Sequence, residues 1–354
     1  MARHFNLRAF AAAWLCALAL AGCTHTHVTQ GRGEVLVRSG DYDNFNDRRE
    51  PRAAGPVAAR VVPYALLAEL PYRDDGYVKP KGGRLLELKR DCPEGELCPT
   101  LAADQIRARR FVRQWRYLWG CNNPVDCLQD KARAQKAVGG LGVQIYLRRG
   151  EVCREAVIAF RGTDRGDQGD WVSNLHWVTR ALPVDDQYDQ VRDRIGAYVA
   201  MIRDQDCYRK GTTKIVALGH SLGGGLAQLA SHANAKVGRV YAFDPSFVTG
   251  YYSGGIVDRD GNVKGHQIER VYEHGEILAY LRYILRQAAP PSPCNPRIVN
   301  VRFDLLQGSV IDQHSLADFT TGLLRASNGV PPEPHPVVDR QDCPVKDSAA
   351  VALR

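Results

Sequence analysis

The stretch TKIVALGHSLGGGLAQLASHA, residues 213–233, places a serine between two glycines where an apolar run gives way to a helical pattern. The run before the serine, residues 215–218, is short and apolar, which predicts a strand buried on both faces. The leucines and alanines after the serine recur at helical spacing and predict a helix with one apolar stripe. Ser221 therefore lies at a turn between a strand and a helix.

The pentapeptide GHSLG at this turn has the form G-x-S-x-G, which between a strand and a helix predicts a nucleophile elbow. Gly219 and Gly223 leave room for the tight backbone, because neither carries a Cβ atom. The turn would hold the Ser221 hydroxyl at a helix N-terminus, whose free N–H groups favour developing negative charge. The alternative is a glycine-rich loop with an incidental serine, since the bare pentapeptide also arises by chance.

Length and composition are those of a globular protein. The 354 residues suffice for a large core in one large or two ordinary domains, and 44% are hydrophobic and 24% charged. The formal net charge of +8 is mild, and the basic cluster between Arg107 and Arg116 is typical of a solvated helix face. We therefore expect no nucleic-acid partner, while attraction to anionic phospholipid headgroups is a weaker inference.

The first segment, MARHFNLRAFAAAWLCALALAGC, predicts export. Basic residues precede a short apolar run that ends in small residues, the pattern of a signal peptide over residues 1–22, and a permanent transmembrane helix is the weaker alternative. The letters LAGC resemble the lipobox of bacterial lipoproteins, which implies cleavage before Cys23 and attachment of lipid to it. We expect a lipid anchor in the bacterial cell envelope, in the outer membrane because Thr24 follows. An ordinary secretory signal with a chance cysteine is the alternative.

The rest of the chain divides into a tether, one domain and a tail. Residues 23–60 are polar and without periodicity, which predicts a flexible tether, and the proline-rich residues 327–354 predict an extended tail. Within residues 61–326, strand-like and helical patterns alternate, which predicts an α/β class with a mostly parallel central sheet and helices on both faces. Eight of the ten cysteines remain after processing, an even number that favours disulfides over a metal site in an exported chain.

The individual elements can be read from their periodicity. Besides the strand and helix around the serine, strands are predicted in GVQIYLRRGEVCREAVIAF, which holds two, and in VGRVYAFD, IERVYEH and RIVNVRFDLL. Helices are predicted over DDQYDQVRDRIGAYVAMIRD and HSLADFTTGLL, and also over YALLAELPY and AADQIRARRFVRQWRYLW.

A serine nucleophile needs a base, an acid that orients the base, and N–H donors for the oxyanion. In elbow folds the acid and the histidine follow the serine, in loops after later strands. His314, in GSVIDQHSLADF, follows the last predicted strand and is the expected base. Glu276, after the strand IERVYEH, is the better-placed acid. Asp244, in YAFDPS, is the alternative acid, and Glu273 and Asp312 are more remote ones.

Three motifs in the same order resemble the class 3, or fungal-type, lipases. IAFRGTD is similar to their strand ending in F-R-G-[ST], DWVSNL to their lid helix, and GHSLGG to their elbow. The resemblance covers about residues 140–325 and implies the α/β-hydrolase fold. It makes Ser221 the nucleophile and assigns the oxyanion hole to the N–H groups of Thr163 and Leu222. It places Glu276 and His314 at the positions of the family's aspartate and histidine, with glutamate replacing aspartate and a proline missing nearby.

The segment that resembles the lid also has a physical interpretation. Trp171, Leu175 and Val178 share one helical face that would close over an acyl groove or contact a membrane. The alternative is a simple packed surface helix.

Taken together, the motifs predict a serine esterase anchored by an N-terminal lipid. It would hydrolyse acylglycerols or phospholipids through an acyl-enzyme, without a metal or an organic cofactor. A thioesterase or acyltransferase with the same triad is one alternative. A non-catalytic envelope lipoprotein that kept the fold for binding is another, and the intact serine, histidine and oxyanion segment argue against it.

Overall fold

A nine-stranded sheet forms the centre of the computed structural model, which describes residues 30, 33–39, 49–72, 99–121, 141–162, 186–251, 253, 255–278 and 295–334. The strands in chain order are β1 Glu34–Ser39, β2 Arg49–Ala53, β3 Trp115–Cys121, β4 Val143–Arg148, β5 Glu155–Phe160, β6 Lys214–His220, β7 Val237–Phe243, β8 Gln267–Glu273 and β9 Arg297–Phe303. They lie side by side in the order β2-β1-β9-β8-β7-β6-β5-β4-β3.

The five central strands, β5 to β9, are parallel neighbours. The outer strands pair antiparallel, β1 with β2 and β9 at one edge and β4 with β3 and β5 at the other. The sheet is therefore parallel at its centre and mixed as a whole. Because parallel strands end at the same edge, β5, β6, β7, β8 and β9 deliver their following loops to one side of the molecule.

Helices cover both faces of this sheet. They are α1 Ala54–Glu69, α2 Pro99–Val112, α3 Asp186–Arg203, α4 Leu222–Ala233, the short α5 Arg259–Asn262 and α6 Leu316–Ala326, with 3₁₀ turns at Leu70–Tyr72 and Asp312–His314. One core cluster joins the sheet to α1, α2 and α6, and a second joins it to α3 and α4. Strand β5 shows the alternation, because Val157 and Ala159 belong to the first cluster while Ile158 and Phe160 belong to the second.

This arrangement is the α/β-hydrolase fold, with the central strand β6 leading through a sharp turn into α4. The prediction of an α/β class with a largely parallel central sheet is confirmed. The strands predicted between residues 142 and 303, and the helices α3, α4 and α6, all form where their periodicity places them. The pattern is clear in these elements because strands buried on both faces are continuously apolar.

Two predictions for the first third of the chain are wrong. The letters WRYLW do not continue a helix, because α2 ends at Val112 and Trp115–Cys121 pairs antiparallel with β4 as an edge strand. The aromatic residues suit a pleated, half-buried surface, and this outweighs the helical spacing.

The predicted tether, residues 23–60, also contains structure. Strand β1 pairs with β9, β2 pairs with β1, and α1 begins at Ala54. Val35 and Leu36 are buried in β1. The polar composition concealed this, because β2 is a short strand at the sheet edge and β1 pairs between it and β9. The described part of the domain therefore begins well before residue 61.

A buried ion pair ties α1 to the sheet and to the start of the predicted tail. The Arg60 guanidinium lies 2.5 Å from a Glu269 carboxylate oxygen in β8, and the side chains are only 3% and 0% exposed. Arg60 also contacts Glu333 at 3.1 Å. The N–H of Glu333 donates to the Pro56 carbonyl at 3.1 Å. The proline-rich segment is therefore attached to the domain at least as far as residue 333.

A disulfide joins Cys153, in the turn between β4 and β5, to Cys207, in the connection between α3 and β6. Cys121 is disulfide-bonded as well. None of the helices in the described part of the chain combines the length and the apolar character that crossing a bilayer requires. The predicted signal peptide, Cys23 and residues 335–354 lie outside the described residues.

The ion pair at Arg60 gives a test of the packing. Replacing Arg60 by Met should lower the free energy of unfolding by about 3–5 kcal/mol, because Glu269 would keep a buried charge without its cation. Urea denaturation of the two proteins measures this difference.

Arg52→Met is the matched control. Arg52 also faces Glu333, at 4.0 Å, but its side chain is 43% exposed. Its loss should change the free energy of unfolding by no more than about 1 kcal/mol. Equal losses of unfolding free energy in Arg60→Met and Arg52→Met would contradict a stabilising buried ion pair at Arg60.

Candidate active site

Ser221 stands at the sharp turn between β6 and α4, with an unusual backbone conformation of φ 57° and ψ −123°. A non-glycine residue at positive φ is strained and persists only where its surroundings fix it. A Cβ atom at Gly219 would overlap the backbone of Gly223, and one at Gly223 would overlap the carbonyl oxygen of Phe160. Both glycines are therefore required by close backbone approach, as the elbow interpretation predicts.

Backbone hydrogen bonds hold the strained turn on both sides. The Ser221 N–H donates to the carbonyl of Phe243 at 3.0 Å, which joins the turn to the end of β7. The Ser221 carbonyl accepts from the N–H groups of Gly224 at 3.0 Å and Ser246 at 2.9 Å. The serine is 7% exposed. These bonds fix the direction of its side chain without using the hydroxyl group.

His314 and Glu276 come together although 38 residues separate them. Glu276 follows β8 and His314 ends the 3₁₀ turn after β9, so both lie in loops at the carboxyl edge of the parallel strands. Nδ1 of His314 lies 2.8 Å from Oε2 of Glu276. Both residues are buried, with exposures of 1% and 0%. The contact leaves Nε2 as the nitrogen of His314 that is not directed at the carboxylate.

The loop of Glu276 is itself held in place. The N–H of Leu278 donates to Oε2 of Glu276 at 2.8 Å, and the N–H of Ile277 donates to the Val310 carbonyl at 3.1 Å. The second bond joins the loop after β8 to the loop that carries His314. The acid and the histidine are therefore fixed relative to each other by backbone as well as by side chain.

Asp244, the alternative acid, occupies a different place. It follows β7 at φ 36°, is fully buried, and its Oδ1 accepts from the N–H of Glu273 at 2.9 Å. Its Oδ2 lies 4.0 Å from Nε2 of His220. Of the two predicted acids, Glu276 is the one at hydrogen-bond distance from Nδ1 of His314.

His220, next to the serine, is buried. Its ring packs against the ring of His314 with centroids 4.7 Å apart, and its Nε2 lies 3.1 Å from the carbonyl oxygen of His314. The imidazole of His314 is therefore held against the elbow. Tyr72, whose hydroxyl contacts His220, could not be predicted as part of the site, because it lies far from every motif in the chain.

The oxyanion donors and the lid are only partly described. Leu222 is the first residue of α4, so its N–H has no preceding helical carbonyl to bond. Gly162 ends the described segment after β5. Thr163 and the predicted lid residues Trp171, Leu175 and Val178 lie outside the described residues.

One cluster near the serine has donor types that a metal ion accepts. A ring nitrogen of His220, a carboxylate oxygen of Asp244 and a ring nitrogen of His314 lie within 4.8 Å of one another. Two imidazoles and a carboxylate are donors that zinc binds. Hydrogen bonds already engage these groups, however, since Nδ1 of His314 faces Glu276 and Nε2 of His220 faces a carbonyl. We assign the cluster no metal.

Glu273 is a buried carboxyl group that supports the histidine loop. Its Oε1 accepts from the N–H groups of Leu305 and Leu306 at 2.8 and 3.1 Å, at the start of the connection from β9 to His314. Burial raises the pKa of Glu273 to about 7, although these N–H groups lower it. The carboxyl group therefore acts as a pH-dependent contact beneath the site.

Comparison with protein families finds a match for part of the chain. Residues 124–244 match the phospholipase-like family described as a Tle-like phospholipase domain. The matched region includes the elbow and Ser221 and stops before Glu276 and His314. It overlaps the region that resembles the class 3 lipases, and it supports an ester hydrolase. No curated protein matches the sequence.

Among solved structures, similar chains include lipase II from Rhizopus niveus, at 14% identity, covering 64% of this chain and 74% of that one with a TM-score of 0.29. Esterase B from Lactobacillus rhamnosis is 11% identical, and the match covers 64% of this chain and 96% of the esterase, with a TM-score of 0.30. Acetyl xylan esterase 1 from a Thermoanaerobacterium species is 10% identical, and the match covers 52% of this chain and 79% of the esterase, with a TM-score of 0.27. The sequence identities and TM-scores are too low for these structures to indicate the function of this protein.

The elbow glycines predict a sharp difference between substitutions. Gly223→Ala should lower the free energy of unfolding by about 1–3 kcal/mol or more, because its Cβ atom has no room beside Phe160. Gly196→Ala is the matched control, since a Cβ atom there meets nothing within 4 Å and the residue lies inside α3. It should stabilise the protein by about 0.5–1 kcal/mol. Similar thermal unfolding of both variants would contradict the elbow packing.

Glu273 predicts a pH dependence of stability. Between the ordinary glutamate pKa of 4.5 and the folded value of about 7, the folded protein keeps a proton that the unfolded chain has lost. Stability should therefore fall by about 1 kcal/mol per pH unit as pH rises through this window, and level off above it.

Comparing Glu273→Gln with the wild type between pH 4.5 and 8 isolates this contribution. As pH rises, the Glu273→Gln protein should become more stable relative to the wild type, because the amide cannot ionise. Glu151→Gln, at an exposed position, should follow the wild type across the range. A pH-independent difference between Glu273→Gln and the wild type would show that the carboxyl group ionises normally.

Proposed function

We propose that the protein is a carboxylic ester hydrolase that uses Ser221 as its nucleophile, His314 as its base and Glu276 as the acid. The observation that carries the proposal is the 2.8 Å contact of His314 with Glu276, with the His314 ring packed against the residue that precedes the strained serine. An oriented imidazole beside a serine at an elbow is the arrangement that nucleophilic acyl transfer requires.

In the first step the Ser221 hydroxyl attacks the carbonyl carbon of an ester. Nε2 of His314 accepts the hydroxyl proton, while Glu276 holds the proton on Nδ1 and stabilises the imidazolium that forms. Negative charge develops on the former carbonyl oxygen of the ester, close to the N-terminus of α4. The N–H of Leu222, together with that of Thr163, would donate to this oxygen.

The intermediate then collapses to an acyl-enzyme. His314 returns its proton to the leaving alkoxide, so that an alcohol departs and the acyl group stays on Ser221. A water molecule replaces the alcohol, gives a proton to His314 and attacks the acyl carbon. A carboxylic acid is released and the serine hydroxyl is restored. The cycle consumes one ester and one water and needs no redox partner.

Phospholipids or acylglycerols are the proposed substrates. The match of residues 124–244 to a Tle-like phospholipase domain supports a lipid ester, and so do the motifs that resemble class 3 lipases. Trp171, Leu175 and Val178 would supply an apolar cover for an acyl chain. A lipid anchor at Cys23 would hold the enzyme in the cell envelope beside such substrates.

Hydrolysis of a panel of phospholipids, monoacylglycerols and triacylglycerols by the mature chain tests the proposal. Ser221→Ala and His314→Ala should each lose at least about 10³-fold in kcat, because either change removes the covalent route. Glu276→Gln should lose about 10²–10⁴-fold, because the imidazole loses its orienting charge.

Ser231→Ala serves as the control variant. Ser231 is a buried serine on the same helix, α4, and its hydroxyl contacts His266 at 2.8 Å, away from the proposed chemistry. It should keep wild-type turnover. Full hydrolysis by a folded Ser221→Ala protein would overturn the proposal.

A further inference from the structure

The Tyr72 hydroxyl lies at the junction of three parts of the proposed site. It accepts from the N–H of Gly162 at 2.9 Å, and it lies 3.3 Å from both Nδ1 and the carbonyl oxygen of His220. Gly162 follows β5 and directly precedes the proposed oxyanion residue Thr163. Tyr72 itself ends the 3₁₀ turn after α1, at a distance of 90 residues from Gly162 and 148 from His220.

The hydrogen-bond partners determine the protonation of the His220 ring. Its Nε2 lies 3.1 Å from the His314 carbonyl oxygen, and a carbonyl oxygen only accepts hydrogen bonds. Nε2 is therefore the donor in this contact and carries a proton. In the tautomer with its only proton on Nε2, Nδ1 is an acceptor. The hydroxyl of Tyr72 is the donor that faces Nδ1.

These contacts form one continuous chain of donors and acceptors. The Gly162 N–H donates to the Tyr72 hydroxyl, the single hydroxyl hydrogen is shared between Nδ1 and the carbonyl oxygen of His220, and Nε2–H of His220 donates to the His314 carbonyl. Such chains strengthen because each bond polarises the next. The chain runs from the oxyanion side of the site to the backbone of the proposed base.

The packing around Gly162 shows how closely Tyr72 fits. A Cβ atom at Gly162 would lie 2.5 Å from the Tyr72 hydroxyl oxygen and 2.6 Å from the His220 carbonyl oxygen. Only glycine at this position lets the phenol reach the backbone N–H. The Tyr72 ring also meets the ring of His220 edge-on, with centroids 6.2 Å apart.

We propose that Tyr72 is a positioning residue, which sets the geometry between the oxyanion segment and the His314 base through His220. This inference rests on the proposed function, because it concerns the same site. The hydroxyl contacts Gly162 and His220, which directly precede the proposed oxyanion donor Thr163 and the proposed nucleophile Ser221. Its loss should therefore lower kcat rather than raise KM.

Tyr72→Phe removes the hydroxyl alone and leaves the N–H of Gly162 and Nδ1 of His220 without this partner. Displacements well below 1 Å at the reacting atoms are costly, so we expect kcat for a soluble p-nitrophenyl ester to fall about tenfold with KM within about twofold. The readout is steady-state kinetics, with thermal unfolding measured on the same samples.

Tyr64→Phe is the matched control for the loss of a buried tyrosine hydroxyl. Tyr64 lies in α1, is 4% exposed, and donates to Glu155 at 2.8 Å on the core side of the sheet. It should lower the unfolding temperature without lowering kcat. Wild-type kcat in Tyr72→Phe, or an equal fall of kcat in Tyr64→Phe, would overturn the positioning role.

A double-mutant cycle that combines Tyr72→Phe with His220→Gln gives a second test. The glutamine amide can replace the donor at Nε2 but offers no acceptor at the Nδ1 position. If the chain couples the two residues, Tyr72→Phe should cost less in the His220→Gln background than in the wild type. Additive losses would overturn the proposal. An inactive wild type would instead contradict the proposed function, which separates the two failures.

Discussion

The strained backbone of Ser221 is the constraint on which the rest of the site depends. A side chain at φ 57° costs about 1–3 kcal/mol, so the surrounding structure must fix it. Gly219 and Gly223 permit β6 and α4 to approach within backbone contact, and the carbonyls and N–H groups of neighbouring loops bond the turn on both sides. The strain presents a side chain above the sheet while the helix supplies N–H groups beside it, so one local conformation places both the proposed nucleophile and a proposed oxyanion donor.

The remaining parts of the site come from chain segments that the parallel sheet brings to one edge. Glu276 follows β8 and His314 follows β9, and their contact needs both loops to be held. Asp244 and Glu273 do this from below: the first accepts the N–H of Glu273, and the second accepts two N–H groups of the loop that leads to His314. Of these three buried carboxyl groups, Glu276 contacts the imidazole, while Asp244 and Glu273 hold backbone N–H groups of the loops in place.

Sequence reasoning succeeds where burial imposes a period and fails where contacts are distant. The buried strands β5 to β9 and helices α3, α4 and α6 follow from their apolar patterns. Chain order singles out Glu276 and His314, whose side chains lie in contact, and their catalytic roles stay predictions. Strands β1, β2 and β3, which lie at or next to the sheet edges, escaped, because their polar or aromatic residues take their conformation from a partner strand. Tyr72 escaped for the same reason, since no spacing links it to Gly162 or His220 before the chain is folded.

The proposed chemistry requires that Ser221 is a nucleophile made reactive by His314. Treating the folded protein with a fluorophosphonate and mapping the adduct by peptide mass spectrometry tests this claim most directly, because such reagents modify serines whose hydroxyl is activated by a neighbouring base. We expect a single adduct on Ser221, absent from the denatured protein and from His314→Ala. A folded protein that acquires no adduct, or acquires it on another residue, would contradict the claim.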